Sequence, residues 1–226
     1  MNAHPLDRPV WSALSGRQAA LAQGDGWALR LAPDYGPFAA AADASPESQA
    51  ALAAFEPGEG GLWLVEPEAA RPPAGFVVAA TAVCCQMTAP AITPGQLRFA
   101  VAALTEEDAP QMLALARLTR PGPFSTRTHR LGAFFGVKLE GALVAMAGER
   151  MRPDGFTEVS GVCTHPDHRG RGYAGGLMRL VARRILERGE IAFLHAYESN
   201  ASAIALYQSL GFVRRRTVTL TILKRG

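Results

Sequence analysis

Apolar and polar positions along the chain alternate between strand-like runs and helical repeats, and the pattern is clearest at 158–187. Residues 159–164, VSGVCT, form a β-rich run that stops at His165-Pro166. Proline there removes a ladder donor and drives the preceding residue to extended geometry. After the turn Arg169-Gly170-Arg171-Gly172, residues Tyr173, Leu177, Leu180, Val181 and Ile185 recur at three- and four-residue steps. Arg179, Arg183, Arg184 and Glu187 fall on the other side, so the spacing predicts an amphipathic helix.

The rest of the chain reads the same way. In the first part, strands are expected at 27–31, 62–66 and 76–85, with a helix from the Ser45 cap and Pro46 to about residue 55. Residues 89–95, with Pro90 and Pro94, read as a linker. Beyond it the pattern predicts a strand at 97–104 and a helix from Thr105 to about 118 with acids at its positive end. A loop at 120–124 and a short helix at 125–130 follow. A hairpin of 132–139 and 142–150 turns at Glu140-Gly141, and the strand carrying Glu158 comes next. The last elements are a strand at 191–197, a helix capped by Ser199 or Asn200 and stopped at Gly211, and strands over 212–223. These readings give two regions, 1–95 as a small α/β region and 96–226 as the main domain.

A Gly-rich turn that opens a helix offers free N–H groups and the positive end of a helix dipole, a ready seat for phosphate or pyrophosphate. Gly170, Gly172 and Gly175 spell G-x-G-x-x-G, the dinucleotide fingerprint. That fingerprint needs its first glycine directly after the strand and further βαβ units downstream. Here Pro166-Asp167-His168 intervenes and little chain remains. The alternative spelling is Arg169-x-x-Gly172-x-Ala174, followed by Asn200-x-x-Ala203-x-x-Leu206-Tyr207-x-x-Leu210-Gly211-Phe212. These two stretches resemble motifs A and B of the GNAT superfamily of N-acetyltransferases, in the right order. The resemblance covers about residues 96–226, and the element order β-α-α-β-β-β-α-β-α-β is similar to that of the GNAT fold.

The resemblance implies an α/β fold with a mixed central sheet of GNAT (acyl-CoA N-acyltransferase) type, beside the small N-terminal α/β region. That region is either a cap that shapes the acceptor site or a degenerate half of a duplicated fold. The implied activity is transfer of an acetyl group from acetyl-CoA, as co-substrate, to a primary amine of a small-molecule acceptor by direct attack. A protein amine is the other acceptor, and a non-catalytic acyl-CoA-binding module is the other function. The implied cofactor-site residues are Val162, Cys163 and Thr164 along the pantetheine arm, and Arg169, Gly170, Arg171, Gly172, Tyr173, Ala174 and Gly175 at the pyrophosphate. Asn200, Ala203 and Tyr207 complete the set.

Direct attack needs a base, an oxyanion donor and an acid for the thiolate. Glu158 is the expected base, 169−158 = 11 residues before the motif A arginine, with Glu149 on the preceding strand as its rival. Tyr207 is the expected acid. Cys163 has no evident histidine partner and is read as an inert thiol. His165, His168 and His195 are not expected to hold a metal. Arg214-Arg215-Arg216 is read as a solvated strand edge, and Arg120, Arg127 and Arg130 hint at an anionic acceptor.

Composition changes this picture little. A net charge of +3 on 226 residues points to no nucleic-acid partner. Cys84, Cys85 and Cys163 form neither a disulfide framework nor a metal quartet, which suits a reducing cytoplasm. The N-terminal MNAHPLDRPVW has no apolar core of a signal peptide, and the longest apolar run is too short for a membrane helix. A soluble cytoplasmic protein is therefore expected.

Overall fold

The computed structural model describes residues 4–226. Its strands are β1 Ala22–Gly24, β2 Ala28–Leu31, β3 Ala39–Ala41, β4 Leu62–Glu66, β5 Phe76–Ala89 and β6 Ala102–Leu104. They continue as β7 Phe134–Leu139, β8 Ala142–Glu149, β9 Phe156–Thr164, β10 Ile191–Tyr197 and β11 Val213–Arg225. The helices are α1 Pro9–Leu14, α2 Pro46–Ala53, α3 Ala109–Thr119, α4 Tyr173–Glu187 and α5 Ala201–Ser209.

Eight strands form one mixed sheet in the order β4-β11-β5-β10-β9-β8-β7-β6. All its pairs are antiparallel except β9 with β10. A nearly antiparallel sheet of this order is not a dinucleotide fold, whose strands run mostly parallel. The small sheet β1-β2-β3 stands apart. Residues 1–95 thus contribute β4 and β5 to the main sheet, and β5 sits between β11 and β10. The boundary read at 95/96 falls in a connection within that sheet, and its Thr93 N–H donates to the Leu210 carbonyl at 2.9 Å.

Alternation along the strands sends side chains to two cores. On one face Ala192, Leu194 and Ala196 of β10 meet Leu177, Val181 and Ile185 of α4, the apolar stripe seen in the sequence. On the other, Phe193 packs with Leu6, Val10 and Leu14 around α1 and with Leu31 and Phe38. α3 covers the far end of that second face through Met112, Leu115 and Ala116, against Met146 and Cys163.

Local signals account for most element ends. Ser45 caps α2, its hydroxyl accepting from the Ser48 N–H at 3.2 Å. The Thr105 N–H donates to Asp108 Oδ2 at 2.9 Å, but the first turn there is a 3-10 helix at Glu106–Asp108 before α3. Glu140 and Gly141 both take positive φ, 50° and 82°, as a tight hairpin turn requires. The short helix expected at 125–130 is a 3-10 turn at Thr128–Leu131. The strand expected at 97–104 is only Ala102–Leu104, because Phe99 instead lies edge-on to Tyr173 of α4, 4.9 Å between centroids. Among the described residues no helix is long and apolar enough to cross a membrane.

Candidate active site

The parallel strands β9 and β10 pair only at their beginnings, ending with Glu158 opposite Phe193. Beyond that point β9 bends away. Its register with β8 slips between Met146 and Gly148, and Gly161 takes a φ of +63°. The fork between the strands opens into a cleft of about 1310 Å³, counted to its open mouth. Val162, Cys163 and Thr164 form one wall, residues 169–175 the base, and Asn200, Ala203 and Tyr207 the other wall. Every residue expected at the cofactor site from motifs A and B thus lines one cleft.

Gly170 and Gly172 have φ of +76° and +77°, the left-handed region that glycine enters freely. An added Cβ at either would meet no protein atom, so backbone conformation demands glycine here and not crowding. Gly172 is the N-cap of α4 and supplies no side-chain cap. Among the described residues, the N–H groups of 170–175 donate to no protein acceptor, a row of orphan donors at the positive end of a 15-residue helix. Arg169 and Arg171 add side-chain charge at the same place. Tyr173 presents its backbone, since its ring is buried against Phe99. Two further cationic-capable groups, His168 and Arg179, also line the cleft, and Arg179 was read in sequence only as part of the polar side of the helix.

A second pocket, about 670 Å³ counted to its open mouth, opens on the opposite side of the fork. Phe38, Trp63 and Val65 from the N-terminal region wall it, with Cys84, Leu220 and Tyr197. The loop Pro121-Gly122-Pro123 forms its lip. Pro121, Asn200 and Tyr207 line both spaces, so the two meet at the Tyr207 side chain. The Tyr207 hydroxyl has no partner among the described residues, and burial pushes its pKa above the usual value. Asn200 caps α5 through its Oδ1, which accepts from the Ala203 N–H at 3.1 Å, leaving its amide nitrogen free to serve the cleft.

Glu158 lies behind this pocket and lines neither space. It is 0% exposed. Arg150 Nε and Nη2 donate to its two oxygens at 2.8 Å each, a bidentate clamp. His195 Nδ1 stands 2.8 Å from Oε1. Burial opposes ionisation, yet Arg150 and His195 outweigh it and hold the Glu158 carboxyl well below the usual carboxylate range. An ionised Glu158 only accepts, so His195 Nδ1 donates. The Gln86 amide stands 3.1 Å from His195 Nε2 and also donates to the Leu6 carbonyl, while its oxygen accepts from Arg215. That fixes the amide's direction and leaves His195 Nε2 as an acceptor. Both ring nitrogens are therefore committed, and the base expected at Glu158 is enclosed by its partners. Glu149, its rival, is also buried and lines neither space. Its carboxylate forms an ion pair with Arg188 at 2.9 Å, just past the end of α4 away from the cleft.

Two of the arginines that hinted at an anionic acceptor are paired elsewhere. Arg127 pairs with Asp34 at 3.0 Å and Arg130 with Glu106 at 2.7 Å, and neither they nor Arg120 line the pocket. Arg214 pairs with Glu198, and Arg215 and Arg216 with Asp7; the solvated edge expected there is instead a stretch of β11, which lies between β4 and β5, and Arg215 and Arg216 are only partly exposed. Burial pushes the Cys163 thiol up to about 11, in keeping with an inert side chain under α3. No group of residues among those described could hold a metal. Arg150, Phe38, Trp63 and Tyr197 were not singled out in sequence. Tyr197 alone had a legible signal: period-two alternation along β10 puts it on the face of Phe193 and His195.

Known proteins share this fold. Residues 134–220 match the family model described as FR47-like protein. Over 99% of this chain and 100% of the other, it is 50% identical to a structure named as an acetyltransferase from the GNAT family of Novosphingobium aromaticivorans DSM 12444, with a TM-score of 0.93. A GCN5-related N-acetyltransferase from Kribbella flavida is similar in fold at 20% identity and TM-score 0.65, covering 97% of this chain and 96% of that one. A GCN5-related N-acetyltransferase-like protein from Streptococcus suis 89/1591 has the same fold at 15% identity and TM-score 0.61, over 96% and 92%. No curated protein matches the chain. Half the sequence shared with a GNAT structure along essentially the whole length, on the same fold and with both motifs lining one cleft, makes this chain a member of the GNAT family.

Proposed function

We propose that the protein transfers the acetyl group of acetyl-CoA to a primary amine of a small molecule by direct attack. The observation that carries this reading is the meeting of the two spaces at Tyr207, one rich in orphan N–H groups and the other walled by aromatic and aliphatic side chains. The residues of the first space fit acetyl-CoA. The N–H groups of 170–175, with Arg169 and Arg171, would hold its pyrophosphate, and the free edge of β9 at 162–164 its pantetheine arm.

Bound acetyl-CoA supplies the acetyl carbon: the amine forms a C–N bond as the C–S bond breaks, and the departing sulfur takes up one proton. Tyr207 holds that proton on an otherwise unpartnered hydroxyl at the junction. The amine nitrogen sheds one proton in turn, which restores the phenol, so a neutral amine needs no further base. A backbone N–H of 162–164 donates to the developing oxyanion. From behind the pocket Glu158 holds Arg150 and His195, which line it, instead of taking the proton. Residues 1–95 supply the pocket's outer wall through Phe38, Trp63 and Val65, the acceptor-shaping role.

Calorimetric titration with acetyl-CoA, CoA and NAD, beside a Gly172→Glu variant, tests the reading. Binding of both CoA species but not NAD, lost in the variant, together with amine-dependent thiol release, is the expected result. Folded protein that binds neither CoA species would refute it.

A further inference from the structure

The pocket on the far side of Tyr207 has a composition that restricts its occupant. Phe38 stands edge-on to Trp63, 6.2 Å between centroids and 76° apart, and Tyr197 and Tyr207 add two more rings. Val65 and Leu220 fill between them. Among the described residues no aspartate or glutamate lines it. Its single permanent charge is Arg150, and that charge is already compensated by buried Glu158 through two hydrogen bonds of 2.8 Å. Arg150 also lies over the Phe38 ring, 4.6 Å from its centroid, which fixes the guanidinium plane. The remaining nitrogen, Nη1, has no hydrogen-bond partner among the described residues and lies beside Gly122 of the lip.

Resting on the transferase reading above, we infer that the acceptor is a compact monoamine with an aryl or arylalkyl body and no second charged group. The argument is one of desolvation. A second ammonium carried into this pocket would meet the Arg150 guanidinium and no carboxylate, and a buried unpaired cation is strongly disfavoured. An added carboxylate would compete with Glu158 for Arg150 and leave the cluster with an excess negative charge. A flat apolar body loses nothing on entry and gains edge and face contact with the four rings. A single-ring body laid on the aromatic wall, with a short arm, would bring its nitrogen toward Tyr207, which lines both spaces. Polyamines, aminosugars with several ammonium groups and lysine-rich peptides are excluded by the same argument.

The test compares 2-phenylethylamine with 1,4-diaminobutane as acceptors in a thiol-release assay, with acetyl-CoA affinity measured by calorimetry on the same preparation. The expected kcat/KM for 2-phenylethylamine is at least about tenfold higher. Tyr197→Ala, at a residue 43% exposed and outside the core, should cut that preference severalfold by raising KM while acetyl-CoA affinity stays unchanged. Trp63→Ala provides a second removal of a wall. Equal or better use of the diamine overturns the inference. So does a preference untouched by both variants, or acetyl-CoA binding without turnover of 2-phenylethylamine. Failure to bind acetyl-CoA would instead overturn the transferase reading, and the inference falls with it.

Discussion

Replacing Glu158 by glutamine separates a positioning role from a base role. The substitution keeps the shape of the side chain and removes its charge. In the structure the carboxylate is fully buried, accepts two hydrogen bonds from Arg150 and one from His195, and is the only acid paired with that guanidinium among the described residues. Glutamine would turn an NH2 toward one of those donors and leave Arg150 uncompensated on the protein side. Breaking a buried pair in this way costs about 3–5 kcal/mol. Urea denaturation of Glu158→Gln should show that loss, with acetyl-CoA affinity of the folded fraction unchanged. The double variant Arg150→Met/Glu158→Leu should recover most of it, since it removes both charges together. A stability change below about 1 kcal/mol, joined to a fall in kcat of about 10²–10⁴, would refute the reasoning and restore Glu158 as the base. The sign of the pH dependence follows from the same cluster. The folded carboxyl titrates below its ordinary value of 4.5, so its contribution is complete above that pH and is lost as pH falls through the folded value.

Other expectations follow from the site. With no free carboxylate in the acceptor pocket, kcat/KM should rise with pH until the amine's own pKa is passed, and should shift with the pKa of the amine tested. A profile fixed near neutrality for every amine would reveal an enzyme base. Gly172→Ala should cost about 1–2 kcal/mol from its positive φ alone, measured by thermal melting, because nothing crowds the added methyl. Iodoacetamide at pH 8 should label Cys163 far more slowly than a free thiol, since burial pushes that thiol up to about 11; rapid labelling that abolishes activity would mark it as a reactive group.

The sequence made the local parts of this structure legible. β4 and β10 were read residue for residue because their apolar runs end sharply, and α4 because its stripe is regular. The Gly-rich turn before α4 was legible because a left-handed backbone leaves a glycine signature. β1, β3 and α1 were missed: the strands are three residues each, and α1 is six residues with no capping side chain at Arg8. β5 runs four residues beyond the expected 85, because Met87 and Ala89 continue its pairing with β10. The aromatic wall of the second pocket was largely illegible in sequence. Phe38 and Trp63 look like ordinary apolar residues until sheet order brings them beside Tyr197, whose facing alone follows from alternation along β10. The same holds for Glu158, whose environment depends on His195, 37 positions away, and on Arg150 turned toward it across β8 and β9. Sequence flagged the carboxylate but could not show what encloses it. Arg127 and Arg130 misled for the converse reason, since their acids, Asp34 and Glu106, lie far off in the chain.

Tyr207→Phe tests the central claim most directly, because it removes one hydroxyl at the junction of the two spaces and leaves the ring packed on Phe212. The measurement is acetyl-CoA affinity by calorimetry beside the rate of thiol release at saturating amine. The account predicts affinity unchanged within about twofold and a rate lower by about 10²–10⁴. An undiminished rate would contradict it, and would mean that the thiolate leaves without Tyr207.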